Sequence, residues 1–502
     1  MNKQDMQLRD KVAQMFAFSV FGASLNEDTR FLLTELKAGG LFLGTASLQN
    51  TKQVHSLTSE LQDLSMTEGS GIPLFISADF VAGAGCKVQG AVHFPKNRAI
   101  GAAADESLAY ETGRITAMES LAIGVNFNYS PVVDVNNNPK NPVIGTHSFG
   151  ADKQLVSRLG NAVIRGYQEH GMIATAKHFP GHGDTHVDSH EDLPVLSFTK
   201  ERLESMEWMP FRSAISQGAD AIMVGHMAVP AIDPSLMPAS LSYEITTGLL
   251  RKSMQFQGLI VTDGLSMKGI TNQFSMEEAC IRAVLAGADI LLATAEDVRQ
   301  AASMLEAVVE AVRQGRIPLE RIEESYGRIM RMKQKYRLTA PLYRPSVYEE
   351  KVFKQRESEE TALKLARLAA TPIGGMRAGV LLEQSDIAWT LIRDRQLGVF
   401  AEGVQRRLPK IEDRLIDSFE EALNQLRNIQ PGRHIIFAIC HHKPMADDWI
   451  ALFQNEMKRV SRGIWIHFGS EYDVRDIGIP CLLMYDRAPA LQQTAARYLT
   501  QE

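Results

Sequence analysis

Short apolar runs alternate with amphipathic helical patterns along residues 15–293, and this alternation restricts the fold more than any other feature of the chain. Such alternation is typical of a parallel sheet whose strands are joined by crossover helices. Strands are predicted at residues 15–20, 40–43, 74–78, 127–133, 173–178, 221–225, 259–262 and 290–293, and helices at residues 106–123, 153–170, 200–217 and 276–286. These units predict a closed (β/α)8 barrel, a TIM-like fold. A doubly wound open sheet is the alternative, although no G-x-G-x-x-G sequence opens a helix after a strand.

The sequence after the barrel pattern predicts a second, smaller domain. A helical region at 296–336 is followed by a polar stretch with two prolines, which is typical of a linker. We therefore predict a barrel domain at 1–340, a linker at 341–357 and a C-terminal α/β domain at 358–502, with Ser358 as the N-cap of its first helix. Strands at residues 379–382, 435–440, 464–468 and 481–485, with a helix at 418–427, describe an open α/β sandwich. His441, His442 and His467 lie at strand ends, where histidines are usually solvated.

Composition gives no charge bias towards a polyanionic partner. The 502 residues are 45% hydrophobic and 22% charged, and the 53 basic and 59 acidic side chains leave a net charge of −6. This balance argues against binding to nucleic acid or an anionic membrane. No apolar stretch suits a membrane span and the N-terminal region lacks a signal-peptide pattern, so we expect a soluble, cytoplasmic protein. The four widely spaced cysteines fit buried thiols in a reducing compartment.

Polar side chains fall directly after several predicted strands of the barrel. In a barrel of parallel strands these positions gather at the C-terminal rim, where the loops build the site. The residues are Asp79, Asp134, His178, His226 and Asp263. Their repeated position relative to the strands favours a functional rim over loop residues scattered by chance.

The segment from Lys177 to Pro194, KHFPGHGDTHVDSHEDLP, holds four histidines at every fourth position and four acidic residues. So many titratable groups contribute little to a core and indicate an active-site loop. On a helix the histidines would share one face and could bind a metal, but Pro180, Gly181 and Gly183 disfavour a helix. A metal site within a loop stays an alternative that neither a cysteine cluster nor H-E-x-x-H supports. We predict no metal and no cofactor.

Five motifs in the barrel half resemble the family 3 glycoside hydrolases, in particular their β-N-acetylglucosaminidase branch. They are GGLFLG (39–44), NPVIGTHSFG (141–150), KHFPGHGDTHVDSH (177–190), AIMVGHM (221–227) and LIVTDGLSMKGI (259–270). The K-H-F-P-G-H-G…D-S-H loop is the most specific of them. The resemblance implies a (β/α)8 barrel followed by a smaller domain, and it supplies roles for individual residues.

By this resemblance, Asp263 is the catalytic nucleophile and His190 is the general acid and base with Asp188 as its partner. A retaining glycosidase needs an ionised carboxylate to attack the anomeric carbon and a proton donor on the other side. An imidazole titrates near neutrality, and a nearby carboxylate such as Asp188 favours its charged form. The glycines of the loop suggest that it moves over the substrate.

The resemblance also implies a set of sugar-binding residues. Lys177 and His178 would bind hydroxyl groups, and the Asp79 carboxylate would bridge hydroxyl groups at the closed end of the site. His226 is a further candidate, with a purely structural hydrogen bond as the alternative. His147 stands in the S-F-G motif where the family usually has an arginine that helps to fix the sugar. The chain also has Asp79 followed by F-V-A-G in place of the usual Q-E-G-G.

The resemblance implies an exo-acting, retaining β-N-acetylglucosaminidase. Its partner would be a small oligosaccharide with a terminal GlcNAc, either a short chitooligosaccharide or a cell-wall muropeptide. A second hypothesis is a phosphorylase, because a neutral histidine would let phosphate approach where a carboxylate repels it. A third is a non-catalytic sugar-binding protein, suggested by the changes at 80–83 and 147. The sequence does not indicate the oligomeric state.

Overall fold

The computed structural model describes residues 3–353, 355–381, 388–430, 433–441, 444–460, 462–475 and 477–501. Its first half is a barrel of parallel strands. The strands are β1 (Phe16–Ser19), β2 (Gly40–Phe42), β3 (Phe75–Ala78), β4 (Phe127–Asn128), β5 (Ile173–Phe179), β6 (Ala221–Val224), β7 (Leu259–Thr262) and β8 (Leu291–Ala293). The sheet order β7-β6-β5-β4-β3-β2-β1-β8 follows the chain, and a parallel bridge between Val261 and Ile290 joins its two ends. The predicted (β/α)8 barrel is confirmed.

Helices cover the outside of the barrel, as expected for parallel strands with crossover connections. They are α1 (Lys3–Ala13), α2 (Glu27–Thr34), α3 (Thr51–Thr67), α4 (Asn97–Ala103), α5 (Glu106–Ala122), α6 (Lys153–Glu169), α7 (Lys200–Ser205), α8 (Met209–Ser216), α9 (Lys268–Thr271), α10 (Met276–Ala286), α11 (Val298–Arg313) and α12 (Leu319–Lys335). A π-helical segment at Glu244–Ser253 lies between β6 and β7. Because α8 has Pro210 in its first turn, the helix predicted at 200–217 is divided in two.

Two other barrel elements differ from the prediction. The helical region predicted at 296–336 is interrupted at 314–318, where Gly315 has a φ of +72° and Pro318 precedes α12. The strand predicted at 127–133 ends at Asn128, and the chain then continues through Pro131, which has no amide to donate to a neighbouring strand. Glycine and proline thus account for both differences.

The N-terminal end of the barrel is held by a buried carboxylate. Asp289 is fully buried and accepts hydrogen bonds from Arg251 at 2.7 Å, Arg321 at 3.1 Å and Arg328 at 3.0 Å. These arginines come from the π-helical segment and from α12. Because a buried charge is stable only when it is paired and hydrogen-bonded, the cluster ties these elements to the start of β8.

The second half of the chain folds around another sheet. Its elements are α13 (Arg356–Ala369), β9 (Thr371–Ile373), β10 (Trp389–Asp394), α14 (Gly398–Arg407), β11 (Glu412–Ile416), α15 (Phe419–Arg427), β12 (His434–Cys440), α16 (Asp447–Arg459), β13 (Arg462–Phe468), β14 (Cys481–Leu483) and α17 (Pro489–Thr500). The sheet order is β11-β10-β12-β13-β14-β9, and all neighbours are parallel except the antiparallel β9. This is the predicted α/β sandwich, and the boundary at 341–357 stays a prediction.

Three details of the second half were predicted wrongly. Ser358 lies inside α13, which begins two residues earlier after Gln355, so it is not the N-cap. Residues 379–381 form a turn rather than the start of a strand, with Gly379 at a φ of +70°; residue 382 lies outside the described residues, as does His442. The strands β10 and β11 were not predicted. In β11 the sequence EDRLI is mostly charged because it forms the sheet edge, where Arg393 binds Asp413.

The second half packs against the loop between β3 and α4, residues 79–96. Phe94 of this loop and Ala99 of α4 belong to the apolar core of the second half. Arg98 pairs with Glu471 at 2.7 Å, and the Tyr472 hydroxyl donates to the carbonyl of Asn136 at 2.8 Å. The second half therefore contacts loops that leave the C-terminal rim of the barrel. Among the residues described, no helix has both the length and the apolar character to cross a membrane.

Candidate active site

Asp79 lies directly after β3 and faces Lys177 of β5. The Lys177 ammonium donates to Asp79 Oδ1 at 2.6 Å, and Lys87 Nζ lies 3.7 Å from Oδ2. Burial raises the pKa of Asp79, but the charges of Lys177 and Lys87 outweigh it and hold the pKa at about 2. The site therefore contains a fixed carboxylate and a fixed ammonium side by side.

Asp134 positions His178, the histidine near the end of β5. Its fully buried carboxylate accepts from His178 Nδ1 at 2.8 Å and from the backbone amides of His178 and His182 at 3.1 and 2.7 Å. The sequence placed Asp134 on the rim but gave it no role. Because its carboxylate is buried and binds both His178 and His182, Asp134 is a positioning residue for the start of the loop.

Asp263 follows β7, and its carboxylate accepts from the amide of Gly264 at 2.8 Å. Burial raises the pKa of Asp263, but the positive charge that His178 and His226 carry when protonated, together with the hydrogen bond from the Gly264 amide, outweighs it and lowers the pKa below its usual value. An ionised carboxylate is the form that a nucleophile or an electrostatic stabiliser requires.

His226 is fully buried, and protein groups bind both of its ring nitrogens. Nδ1 contacts the Ser240 hydroxyl at 2.8 Å and Nε2 contacts the Gly264 carbonyl at 2.9 Å. Burial lowers the pKa of His226, which favours the neutral ring. The sugar-binding role suggested for His226 stays a prediction; in this geometry its ring supports the backbone next to Asp263.

Three asparagines hold the first half of the histidine-rich loop. Asn137 donates to the Asp184 carboxylate at 3.1 Å, Asn138 to the Thr185 carbonyl at 3.0 Å and Asn141 to the His182 carbonyl at 2.9 Å. His182 itself is buried, and its ring nitrogens contact the hydroxyls of Thr185 and Ser189. This half of the loop is therefore fixed by the segment that follows β4. The sequence showed these asparagines only as an N-N-N-P-K-N run.

The second half of the loop carries the His190–Asp188 pair. His190 Nδ1 lies 2.8 Å from Asp188 Oδ1, which also accepts the His190 amide at 3.0 Å. The side chain of His190 is 65% exposed, while that of Asp188 is 12% exposed. The amide of Gly269 in α9 donates to the Ser189 carbonyl at 3.3 Å, so the pair rests on the segment that follows Asp263. The predicted acid and base thus lie on an accessible loop that contacts the segment following the predicted nucleophile.

His147 ends a 3-10 helix at Gly145–His147 and lies near the Asp79 carboxylate. When its ring is protonated, its charge lowers the pKa of Asp79, after the larger effects of burial, Lys177 and Lys87. Its Nε2 lies 3.4 Å from the Lys96 ammonium. Within the described parts of the chain, no three His, Cys, Asp or Glu side chains form a group that could hold a metal ion.

The rim therefore presents an ionised carboxylate, an accessible histidine–carboxylate pair and several fixed hydrogen-bonding groups. The first two can attack a carbon and move a proton, while the others can bind hydroxyl groups. Together the fold and the site define an enzyme of the (β/α)8-barrel class. Residues 7–332 match the model of the glycosyl hydrolase family 3 N terminal domain, and the chain belongs to this family.

Similar proteins are known from sequence and from solved structures. A β-hexosaminidase A of Pseudoalteromonas piscicida is 34% identical over 325 residues, which are 61% of this chain and 54% of that protein. This chain thus spans about half of that relative. A β-N-acetylglucosaminidase/β-glucosidase of Cellulomonas fimi is 27% identical over 432 residues, 84% of this chain and 74% of its own. The structure of a family 3 β-N-acetylglucosaminidase from Paenibacillus sp. str. FPU-7 has a TM-score of 0.87 at 30% identity and covers 98% of this chain and 96% of that chain.

Proposed function

We propose that the protein is a retaining exo-β-N-acetylglucosaminidase. The observation that carries the proposal is the ionised Asp263 together with a His190–Asp188 pair on a loop that contacts the segment after Asp263. Similarity to proteins named β-hexosaminidase and β-N-acetylglucosaminidase supports GlcNAc as the sugar that is released. Short chitooligosaccharides and cell-wall muropeptides are the two substrate classes with a terminal GlcNAc that we propose.

In the first step, an Asp263 oxygen attacks the anomeric carbon and the glycosidic bond breaks. His190 donates its proton to the departing oxygen, so the leaving group departs neutral and the sugar is esterified to Asp263. In the second step, His190 takes a proton from water, the water oxygen attacks the anomeric carbon, and the Asp263 carboxylate is released. The β configuration is therefore retained.

The other rim residues bind the sugar in this proposal. Lys177 and His178 bind hydroxyl groups, while Asp79 accepts from hydroxyl groups at the closed end of the site. The Lys177–Asp79 and His178–Asp134 contacts orient these side chains before the sugar arrives. Because these groups need little reorientation, binding energy can be used to position the anomeric carbon.

The nucleophile is tested by trapping the glycosyl-enzyme. A slow fluorinated GlcNAc substrate followed by peptide mass spectrometry is expected to place the sugar on Asp263. Asp263→Asn, which keeps the size of the side chain but removes its charge, is the matched control and should give no adduct. A label on another residue, or turnover through the substrate's own acetamido group without a protein adduct, would refute the assignment.

The proton donor is tested by comparing two leaving groups. His190→Ala is expected to reduce kcat/KM for a natural disaccharide by about 10²–10⁴-fold, and to affect a nitrophenyl glycoside far less, because nitrophenolate leaves without a proton. Asp188→Ala should show the same pattern more mildly, since the ring remains but is less well oriented. Equal losses on both substrates would mean that His190 binds the sugar and that the proton comes from another group.

A substrate panel separates the proposal from its alternatives. Chitobiose, an aryl β-GlcNAc, an aryl β-glucoside and a GlcNAc–anhydromuramic acid fragment are compared with and without phosphate. Release of free GlcNAc independent of phosphate supports the hydrolase, and a phosphate-dependent sugar phosphate would support a phosphorylase instead. Sugar binding without turnover on the whole panel would favour the non-catalytic protein.

A further inference from the structure

Lys96 lies behind His147 at the point where the barrel rim meets the second half of the chain. It is the last residue of the loop between β3 and α4, the loop that also carries Asp79. Its Nζ is 3.4 Å from His147 Nε2, and its backbone amide donates to Asp486 Oδ2 at 2.5 Å. Lys96 is therefore fixed at both ends, by the rim at its side chain and by the second half of the chain at its backbone.

The contact between Lys96 and His147 restricts the state of the histidine. An ammonium group has three donors and no acceptor, so it can hydrogen-bond only to a ring nitrogen that carries no proton. In this contact Nε2 is therefore the acceptor and the ring proton is on Nδ1. The ammonium disfavours a positive charge on the ring while the nearby Asp79 carboxylate favours one, so the acceptor role of Nε2 is the observation that assigns the neutral ring.

The anchor from the second half of the chain keeps Lys96 in place. Asp486 is buried and lies just after β14; besides the Lys96 amide, it accepts the amide of Ala488 at 2.6 Å. Burial lowers the pKa of Lys96, and the Asp486 carboxylate opposes this effect. Asp486 thus favours the charged, donating form of Lys96 as well as its position.

We propose that Lys96, anchored by Asp486, is a positioning residue that holds His147 as a neutral donor for the sugar and replaces the fixed arginine fork at this position. An arginine combines charge, donors and fixed geometry in one side chain. Here His147 supplies the donor and Lys96 supplies the charge and fixes the ring. The second half of the chain thereby contributes to sugar recognition without contacting the sugar. The inference rests on the proposed function, because it requires the sugar to bind beside Asp79.

The test is a double-mutant cycle with Lys96→Met and His147→Ala. The readouts are KM and kcat for an aryl β-GlcNAc and the Kd of GlcNAc by calorimetry. If Lys96 acts through His147, Lys96→Met raises KM and Kd by about tenfold with kcat nearly unchanged, and adds nothing in the His147→Ala background. Lys96→Arg, which keeps a long cationic donor, should restore most of the affinity.

Two further variants sharpen the result. Lys140→Met makes the same change at an exposed lysine on the loop after β4, and it should leave KM and Kd unchanged. Asp486→Asn should raise KM less than Lys96→Met does, and its effect should also vanish in the His147→Ala background. Multiplicative effects of Lys96→Met and His147→Ala would show that Lys96 acts on the sugar independently, and would overturn the inference. So would a loss of thermal stability with KM and Kd unchanged.

The same measurements separate this inference from the proposed function. Turnover by the wild type with multiplicative effects in the cycle would overturn the role of Lys96 and leave the glycosidase proposal intact. No turnover of any glycoside, together with a coupled effect on the Kd of GlcNAc, would overturn the proposed function and leave the role of Lys96 intact. A wild type that neither turns over the substrates nor binds GlcNAc would overturn both.

Discussion

The buried amine of Lys333 in α12 predicts that the barrel becomes more stable as the pH rises above neutrality. Nζ donates to Gln14 Oε1 at 2.8 Å and to the Gly39 carbonyl at 3.0 Å, and it lies 4.9 Å from the centre of the Phe75 ring. No carboxylate in the described structure forms an ion pair with it, and burial lowers the pKa of Lys333 from 10.5 to about 7. The charged form is therefore disfavoured in the folded protein.

The sign and size of the effect follow from proton linkage. Between the folded pKa of about 7 and the unfolded value of 10.5, the unfolded chain binds more protons than the folded one. The free energy of unfolding therefore rises with pH in this window, by about 1.4 kcal/mol per unit and by about 5 kcal/mol across it. As the pH falls from 10.5 to about 7 this stabilisation is lost, and below about 7 Lys333 contributes no further change.

Lys333→Met removes the titrating group while keeping most of the buried chain length. We expect the difference in unfolding free energy between wild type and variant to change by about 2 kcal/mol between about pH 7 and about pH 9. Urea denaturation of the barrel transition at both pH values measures it. The loss of the two hydrogen bonds changes the unfolding free energy of the variant by the same amount at every pH. The slope of the unfolding free energy against pH is therefore the readout.

Lys52→Met provides the control for this prediction, because Lys52 lies on the exposed face of α3. This variant should keep the pH dependence of the wild type. An identical pH dependence in the wild type and Lys333→Met would show that Lys333 stays protonated in the folded barrel, and would refute the reasoning.

Three further predictions concern other buried or tightly packed positions. Burial raises the pKa of Glu119 to about 8, so stability is highest below the unfolded value of 4.5 and falls as the pH rises to about 8. Glu119→Gln should remove this fall in urea denaturation, and an unchanged pH profile would contradict it. Asp134→Asn replaces a carboxylate that accepts hydrogen bonds from three donors with an amide that has one acceptor oxygen. This variant should reduce kcat/KM at least about tenfold. Wild-type activity in the variant would show that His178 needs no charged partner. Gly269→Ala would place a Cβ 3.2 Å from the Ser189 carbonyl, so it should displace the His190 segment and lower kcat without unfolding the barrel. Unchanged kcat would mean that the loop does not rest on α9 during turnover.

The fold was largely predictable because its pattern is periodic and its strands are buried. The strand at Leu259–Thr262 and the helix at Met276–Ala286 have the predicted bounds, since an apolar run or a well-capped helix defines each. The strand Glu412–Ile416 escaped prediction because an edge strand with salt bridges on its surface resembles a loop in sequence. Ser358 was misplaced because a serine can stand inside a helix as well as at its start.

The sequence predicted which residue types form the site, but it did not predict most of the contacts between them. The loop sequence pointed to Asp188 and His190, and the structure places their side chains in contact. The contact between Lys96 and His147 could not be foreseen, because the two residues come from different loops and a lysine after a proline carries no distinctive pattern. The hydrogen bonds of the His226 ring depend on Ser240 and Gly264, whose positions are set by tertiary packing.

The arginine cluster on Asp289 has a consequence for how such a protein can change over generations. It lies at the N-terminal end of the barrel, whereas the groups proposed for chemistry lie at the opposite, C-terminal rim. Substitutions that reshape the rim therefore leave this hydrogen-bonded network unchanged. The stability that the network contributes to the barrel remains available to offset a destabilising change at the rim. Evolvability follows from this separation: the loops that choose the substrate can vary while the barrel stays folded.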